Sequence, residues 1–343
     1  MILEDDYIIY MNEQENLNNI FSQFKIAVNC TNFTKYKNSL CYDLKLAPRT
    51  RIQHIEKYLT EISLALKAPS NPTLQILAKE GVLRLEYILP NPEKIDLFTF
   101  GQNTIKPEGK IQCLLGEDFR GEPIWLDIGY APHVLIAGTT GSGKSTLLHT
   151  IIANLLTMNV SIDLIDPKNI EFCNYNNKFN RVNVSFDYNG ALNTIKFLCE
   201  EMEARYAVLR AGYKLEDYFP YRVLIIDEFA DLILQDNNKE LFTYLCLLIQ
   251  KSRAAGIHLI LSTQRPSVNI LEGTIKANVP VRIACKVSSA IDSRVILGEK
   301  GAEHLLGNGD AIINGLNYTM QRFQAAYTNA AKVGIYFGGS NMK

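Results

Sequence analysis

The octapeptide GTTGSGKS (138–145) has the spacing GxxxxGK[ST], which suits the capture of a polyphosphate. Three glycines let the chain turn tightly enough for its N–H groups to wrap a phosphate, from Gly138 through Thr139, Thr140, Gly141, Ser142 and Gly143. Lys144 is then placed to reach the β- and γ-phosphates, Ser145 to hold Mg²⁺, and Thr146 to follow them into a helix. The flanks agree. HVLIAG (133–138) reads as an apolar strand, and KSTLLHTIIANLL (144–156) as a helix whose N-terminus meets the phosphates. ATP and Mg²⁺ are the expected cofactors; a glycine-rich turn before a helix is the reading without a ligand.

RVLIIDEFADL (222–232) supplies acidic partners. Its apolar run ends in Asp227 and Glu228, at the strand end where open α/β sheets bind ligands. Asp227 would hold Mg²⁺, directly or through water, and Glu228 would orient and polarise an attacking water. An acidic turn after a strand is common alone; about 80 residues beyond a phosphate loop it becomes specific. Gln264 follows Ser262 and Thr263 at the end of GIHLILST (256–263), where it could sense the γ-phosphate or simply cap the strand.

These groups converge only if their strands lie side by side. From about residue 110, apolar runs alternate with amphipathic stretches: HVLIAG, VSIDLID (160–166), RVLIID (222–227), GIHLILST and VPVRIACKV (279–287). Residues 192–212, with Gly212 as a C-cap, and residues 239–256 read as helices between them. Continuous apolar strands separated by helices predict a parallel sheet covered on both faces. GDAIINGLNYTMQRFQAAYT (309–328) reads as a hairpin around NGLN. Residues 1–105 follow another rhythm. Leu17, Ile20, Phe21 and Phe24 recur at helical spacing, Leu40 to Leu46 and GVLRLEYILP (81–90) alternate, and Thr50 with Gln53 suggests a capping box. The expected fold class is α/β, a RecA-like P-loop NTPase core over 106–343 preceded by a smaller α+β domain over 1–105.

The 343 residues suffice for two such cores, and 35 Lys plus Arg against 36 Asp plus Glu leave a net charge of −1. Any nucleic-acid surface must therefore be a local cluster of cations. Seven scattered cysteines without a CxxC read as free thiols of a reducing compartment, and the five histidines show no metal-ligand spacing. With no signal segment and no apolar run of membrane-spanning length, the expected location is the cytoplasm.

PHVLIAGTTGSGKST, DLIDPKNIEF, LIIDEFADL and the long run from KSRAAGIHLILSTQRPSVNILEGTIKANVP to GNGDAII, in that order, closely resemble the motor core of the FtsK/SpoIIIE family of double-stranded DNA translocases. The resemblance covers about 130–313; LGEDFRGEPIWLDIGYAPH (115–133) resembles the segment leading into that core, and residues 1–105 are more loosely similar to the family's preceding small domain. It implies an ATPase that pumps duplex DNA through the pore of a homo-oligomeric, hexameric ring with ATP between subunits. Arg253 matches the arginine such motors offer to a neighbour's γ-phosphate, with Arg282 and Arg294 as rivals. Arg265, with Thr263 beside it, and Lys276, with Ala277, match pore-loop positions that touch the DNA backbone. The strand between Arg253 and Arg265 would then tie the nucleotide end mechanically to the DNA end.

Three departures accompany the resemblance. The membrane region of the family's cell-division members is not found, and about sixteen residues after Tyr327 are too few for a DNA-reading winged helix, so directional loading would come from a recruiting partner or be absent. Ala290 stands where many members have lysine. Two other readings keep the fold: a motor for protein cargo, and a nucleotide-gated DNA-binding scaffold that does not move.

Overall fold

Apolar residues that alternate in the first ninety positions and run continuously in the later strands build two separate cores. The computed structural model describes residues 4–36, 38–68, 72–77, 81–89, 93–266 and 273–338. One compact unit comprises Met1–Lys94, Phe119–Glu122 and His304–Leu306; the other comprises Ile95–Asp118, Pro123–Glu303 and Gly307–Lys343.

The first unit is α+β. It contains α1 (Glu4–Gln23), β1 (Val28–Lys35), β2 (Ser39–Leu46), α2 (Ile52–Glu56), α3 (Leu59–Ala65), β3 (Thr73–Leu77) and β4 (Val82–Ile88). The strands form an antiparallel sheet in the order β1-β2-β4-β3. Its apolar face packs Leu44, Leu83 and Leu85 against Leu17, Ile20 and Phe21 of α1, Ile55 of α2 and Ile62 of α3. The other face of β2 and β4 buries Ser39, Asp43, Arg84 and Glu86; Arg84 there holds Asp43 through two bonds of 2.6 and 3.0 Å. The expected capping box does not form. The Thr50 hydroxyl donates to the Ala27 carbonyl at 3.0 Å, the N-cap is Arg51 without a side-chain bond, and two short helices, α2 and α3, follow.

The second unit holds α4 (Leu97–Gln102), β5 (Gln112–Glu117), β6 (Pro123–Asp127), β7 (His133–Ala137), α5 (Lys144–Leu156), β8 (Val160–Ile165), β9 (Val182–Ser185), α6 (Tyr188–Arg210) and β10 (Tyr221–Ile226). It continues through α7 (Phe229–Gln235), α8 (Glu240–Lys251), β11 (Ile257–Thr263), α9 (Gly273–Asn278), β12 (Val281–Cys285), α10 (Ala290–Leu297), β13 (Asp310–Gly315), β14 (Tyr318–Ala325) and α11 (Ala330–Gly338). One ten-stranded sheet runs β6-β5-β14-β13-β12-β7-β11-β10-β8-β9. The stretch from β12 to β9 is parallel, as the apolar runs predict. The sheet as a whole is mixed, because β13, β14, β5 and β6 extend the β12 edge antiparallel. Short connections join β5 to β6 and β13 to β14, and connections that short can link only antiparallel neighbours. The second is the expected hairpin.

Burial on both faces explains the continuous apolar runs. Val134, Ile136, Ile162, Leu164, Val223, Ile225 and Ile260 share a core with Leu147, Leu148, Ile151 and Leu155 of α5. Their strand neighbours Leu135, Leu224, Ile226, Leu259 and Leu261 point the other way and are equally buried, as are Leu198 of α6 and Leu241 and Leu245 of α8. Helix α6 ends as expected at Gly212, whose N–H donates to Leu209 while Tyr213 N–H donates to Val208. Five cysteines are buried, Cys246 is half-buried and Cys173 is exposed; all seven are free. No described helix is long and apolar enough to cross a membrane.

Candidate nucleotide site

Because β7, β10 and β11 are parallel and adjacent, their carboxyl ends share one edge of the sheet. The phosphate loop leaves β7 there, Asp227 and Glu228 leave β10, and Gln264 and Arg265 leave β11. Several bonds shape the loop. Gly138 N–H donates to Thr263 O (3.2 Å), the N–H and hydroxyl of Thr139 both donate to Lys286 O (2.9 and 3.1 Å), and Ser142 N–H donates to Thr139 O (3.1 Å). From the segment before β13, Asn308 and Gly309 N–H groups donate to Gly141 O (3.3 Å) and Ser142 O (2.9 Å).

Two glycines are required by this packing. Gly143 caps α5 in the left-handed region at φ 101°, and a Cβ there would lie 2.5 Å from the Gly309 Cα. A Cβ on Gly138 would lie 2.7 Å from the Cys285 Cβ. Helix α5 starts at Lys144, so the N–H groups of Lys144, Ser145 and Thr146 have no carbonyl a turn behind them. A helix start with free N–H groups and a positive dipole end favours a phosphate.

Lys144 and Asp227 form an ion pair with side chains only 3% and 4% exposed. Lys144 Nζ also donates to the Ser262 hydroxyl (2.8 Å), which lies 3.3 Å from Asp227 Oδ1. Removing one member of such a pair typically costs about 3–5 kcal/mol, since the other charge stays buried alone. A nucleotide phosphate can take over the lysine and free the carboxylate. The oxygen donors of Ser145 and Asp227 suit a hard divalent cation, with phosphate oxygens and water completing its shell. Among the described residues no group of three or more His, Cys, Asp or Glu could hold a metal ion.

Glu228 is 1% exposed and adopts the left-handed region (φ 55°, ψ 59°) as the N-cap of α7. Its carboxylate is held on both sides by the end of β11: the Thr263 hydroxyl donates to Oε1 at 2.7 Å and the Gln264 N–H to Oε2 at 2.8 Å. Thr263, an expected DNA contact, is fully buried in this arrangement, and its hydroxyl also accepts the Arg265 N–H at 3.0 Å. Gln264 reaches the phosphate loop, where its Oε1 accepts the Thr140 hydroxyl at 3.0 Å. Arg265 itself is exposed, Lys276 on α9 is half-buried and Ala277 is exposed. Residues 267–272, between β11 and α9, lie outside the described residues.

Arg253 lies at the other end of β11, exposed in the turn after α8. Seven strand residues span about 20 Å, so it stands far from the phosphate loop of its own chain. Of the rival arginines, Arg282 is committed to carbonyls, donating to Lys276 O (2.8 Å) and Ile296 O (3.3 Å). Arg294, on α10, is exposed. The motifs did not foretell Ser262, Asn308, Gly309 or Glu171, whose Oε1 accepts the Ser145 hydroxyl at 2.8 Å. Glu171 lies inside DLIDPKNIEF, but nothing in that string fixes its distance from a serine 26 positions earlier.

A glycine loop that leaves a central parallel strand beside a buried lysine–aspartate pair defines a P-loop NTPase of the α/β class. The FtsK/SpoIIIE family profile matches residues 101–213 and 211–268, and the chain belongs to that family. It is 36% identical to the DNA translocase FtsK of Treponema pallidum (strain Nichols) over 343 aligned positions, 91% of this chain and 42% of that one. It is 33% identical to the DNA translocase SftA of Bacillus subtilis (strain 168) over 331 positions, 90% of this chain and 35% of that one. The chain thus spans less than half the length of these relatives. Its fold matches the pCW3 conjugation coupling protein TcpA, solved as a monomer with ATPγS, at a TM-score of 0.64 and 22% identity, covering 94% of this chain and 96% of TcpA. It also matches the cytoplasmic domain of the type VII secretion ATPase EccC of Thermomonospora curvata at a TM-score of 0.58 and 24% identity, covering 68% and 32%.

Proposed function

We propose that this chain hydrolyses ATP with Mg²⁺ and uses the energy to move double-stranded DNA through a homo-oligomeric, hexameric ring. The observation that carries the reading is the direct bond from the segment bearing Arg265 to the catalytic carboxylate: Thr263 and Gln264 hold Glu228, and Arg265 follows them. Lys144 moves from Asp227 to the β- and γ-phosphates. Ser145 and Asp227 would hold the cation, which when bound would neutralise phosphate charge. Backbone N–H groups of Thr140, Gly141 and Gly143 to Thr146 cradle the phosphates, since those of Gly138, Thr139 and Ser142 already donate to carbonyls.

Released from Thr263, Glu228 takes the proton of a water that attacks the γ-phosphorus. The bond to the β–γ bridging oxygen breaks, giving ADP and inorganic phosphate. Gln264, bonded to Thr140 in the phosphate loop, registers whether a γ-phosphate is present. Arg253 serves the nucleotide of a neighbouring subunit and stabilises charge developing in transfer. Arg265, Lys276 and Ala277 meet the DNA backbone, where contacts are independent of sequence. Thr263 acts on Glu228 beneath them.

Displacement of a third strand from a linear duplex, with ATP and with ATPγS, tests movement directly. The expected result is ATP-dependent displacement together with DNA-stimulated hydrolysis, both lost in Glu228→Gln while ATP still binds. The fold shared with EccC favours a protein-cargo motor as the second reading. Hydrolysis indifferent to DNA would support it, and DNA-stimulated hydrolysis without displacement would indicate a scaffold.

A further inference from the structure

The segment between β8 and β9 carries a carboxylate that none of these roles uses. Asp166, fully buried, shapes the segment: its Oδ2 accepts the N–H groups of Ile170 (2.8 Å) and Phe172 (2.9 Å), and its Oδ1 that of Lys168 (3.2 Å). The turn so made brings Glu171 over the first turn of α5. There Oε1 accepts the Ser145 hydroxyl at 2.8 Å, and Oε2 lies 3.5 Å from His149 Nε2. Ser145 and His149 stand four residues apart on α5 and so share a face.

His149 is 6% exposed, packed by Phe172 and Tyr175 at ring separations of 6.3 and 5.7 Å, with its Nδ1 2.9 Å from the Tyr175 hydroxyl. With the Nε2 proton turned to the carboxylate, Nδ1 accepts from Tyr175, and every proton in the chain has one direction. These bonds, that of His149 first, hold the Glu171 carboxyl below the ordinary carboxylate range.

A serine hydroxyl has one proton and two lone pairs. As a cation ligand it must direct a lone pair to the ion and its proton elsewhere, which requires an acceptor on the far side. Among the described residues, Glu171 is the acceptor that the Ser145 hydroxyl finds. We propose that Glu171 is a positioning residue for Ser145: by accepting its proton it aims the oxygen at the divalent cation of a bound nucleotide, while His149 and Tyr175 hold Glu171 in place. The proposal rests on the nucleotide reading of the phosphate loop. If Glu171 merely occupied Ser145 when no nucleotide is bound, its removal would ease cation binding instead.

Binding of an ATPγS analogue carrying an N-methylanthraniloyl fluorophore, measured on the full chain against rising Mg²⁺ and in EDTA, separates these cases. Glu171→Ala should raise the Mg²⁺ concentration for half-maximal binding about tenfold or more, as loss of a partner that orients a metal ligand commonly does. Affinity in EDTA should stay within about twofold. Tyr175→Phe should shift the Mg²⁺ requirement in the same direction by less, and the double variant no further than Glu171→Ala alone. Glu171→Gln, which keeps one oxygen for Ser145, should fall between; with Tyr175→Phe it carries the test if the alanine variant unfolds. An unchanged or lowered Mg²⁺ requirement, or an equal loss with and without Mg²⁺, overturns the proposal. A wild-type chain that binds the probe in neither condition overturns the nucleotide reading itself.

Discussion

Thr263→Val tests whether the end of β11 restrains the Glu228 carboxylate, the proposed base. Valine keeps the shape of threonine and removes the hydroxyl that donates to Glu228 Oε1 at 2.7 Å. A hydrogen bond to a charged group is worth roughly 1.5–3 kcal/mol, and here its loss falls only on the state in which Glu228 is held. About 2 kcal/mol corresponds to a shift of roughly 30-fold between held and released forms. The Gln264 N–H, at 2.8 Å from Oε2, remains as the second restraint and limits the gain. ATP hydrolysis without DNA should therefore rise between about 3- and 30-fold, while the rate with saturating DNA, where release has already occurred, changes less than about twofold. Steady-state phosphate release with and without duplex measures both rates, and unchanged binding of a fluorescent nucleotide excludes a collapsed site. A fall of both rates in equal proportion would mean that Thr263 holds Glu228 in its working posture. That result, or no change in either rate, refutes the restraint.

Three further outcomes follow from the geometry. Gly143→Ala forces a Cβ against the Gly309 backbone at φ 101°; it should abolish nucleotide binding and lower stability by about 2–3 kcal/mol or more, measured by chemical denaturation. Burial pushes His258 down to about 4, so the fold resists charging it; stability from this residue is complete above pH 6.5 and declines as pH falls toward 4. At pH 5 the loss is about 2 kcal/mol, and denaturation curves of His258→Phe should decline less between pH 7.5 and 5 than those of the wild type. Arg253→Ala should keep nucleotide affinity and lose about 10³ in turnover, and mixing it with Lys144→Ala should restore hydrolysis that neither has alone if the arginine serves a neighbour.

The parts of the site legible in the sequence are those that demand fixed residue types at fixed spacing. A phosphate loop needs glycines where Gly138 and Gly143 stand, because any side chain collides with Cys285 or Gly309. The acidic end of β10 was legible because it follows an apolar run whose two faces are both buried. The antiparallel extension was not, since short apolar runs such as QCLLGE and PIWLD do not reveal the direction of the strand beside them. Strand β9 has four residues, too few for a period. Ser262 is hidden inside a wholly buried strand, and Glu171 reaches Ser145 only because Asp166 folds the intervening segment. Thr263 was legible as a position and not as a partner: polar side chains at a strand end look alike until the neighbouring strand supplies a carboxylate.

The two cations that bracket β11 divide the work differently from a rigid lever. A lever reading has the strand transmit a γ-phosphate change along its length to the DNA end. The phosphate loop, Glu228 and Arg265 instead share one edge, and a single residue, Gln264, separates Thr263 from Arg265. A pull on Arg265 need displace only Thr263 and Gln264 to loosen both restraints on Glu228, so coupling between polynucleotide and hydrolysis can be local to that edge. The length of β11 then has another use. At about 20 Å it holds Arg253 far from the phosphate loop of its own chain, and in the proposed ring this arginine would serve a neighbouring copy. Hydrolysis would then require two things at once, a contact at the Arg265 edge and a neighbour at the Arg253 edge. A chain bearing only one of them would bind ATP and hold it.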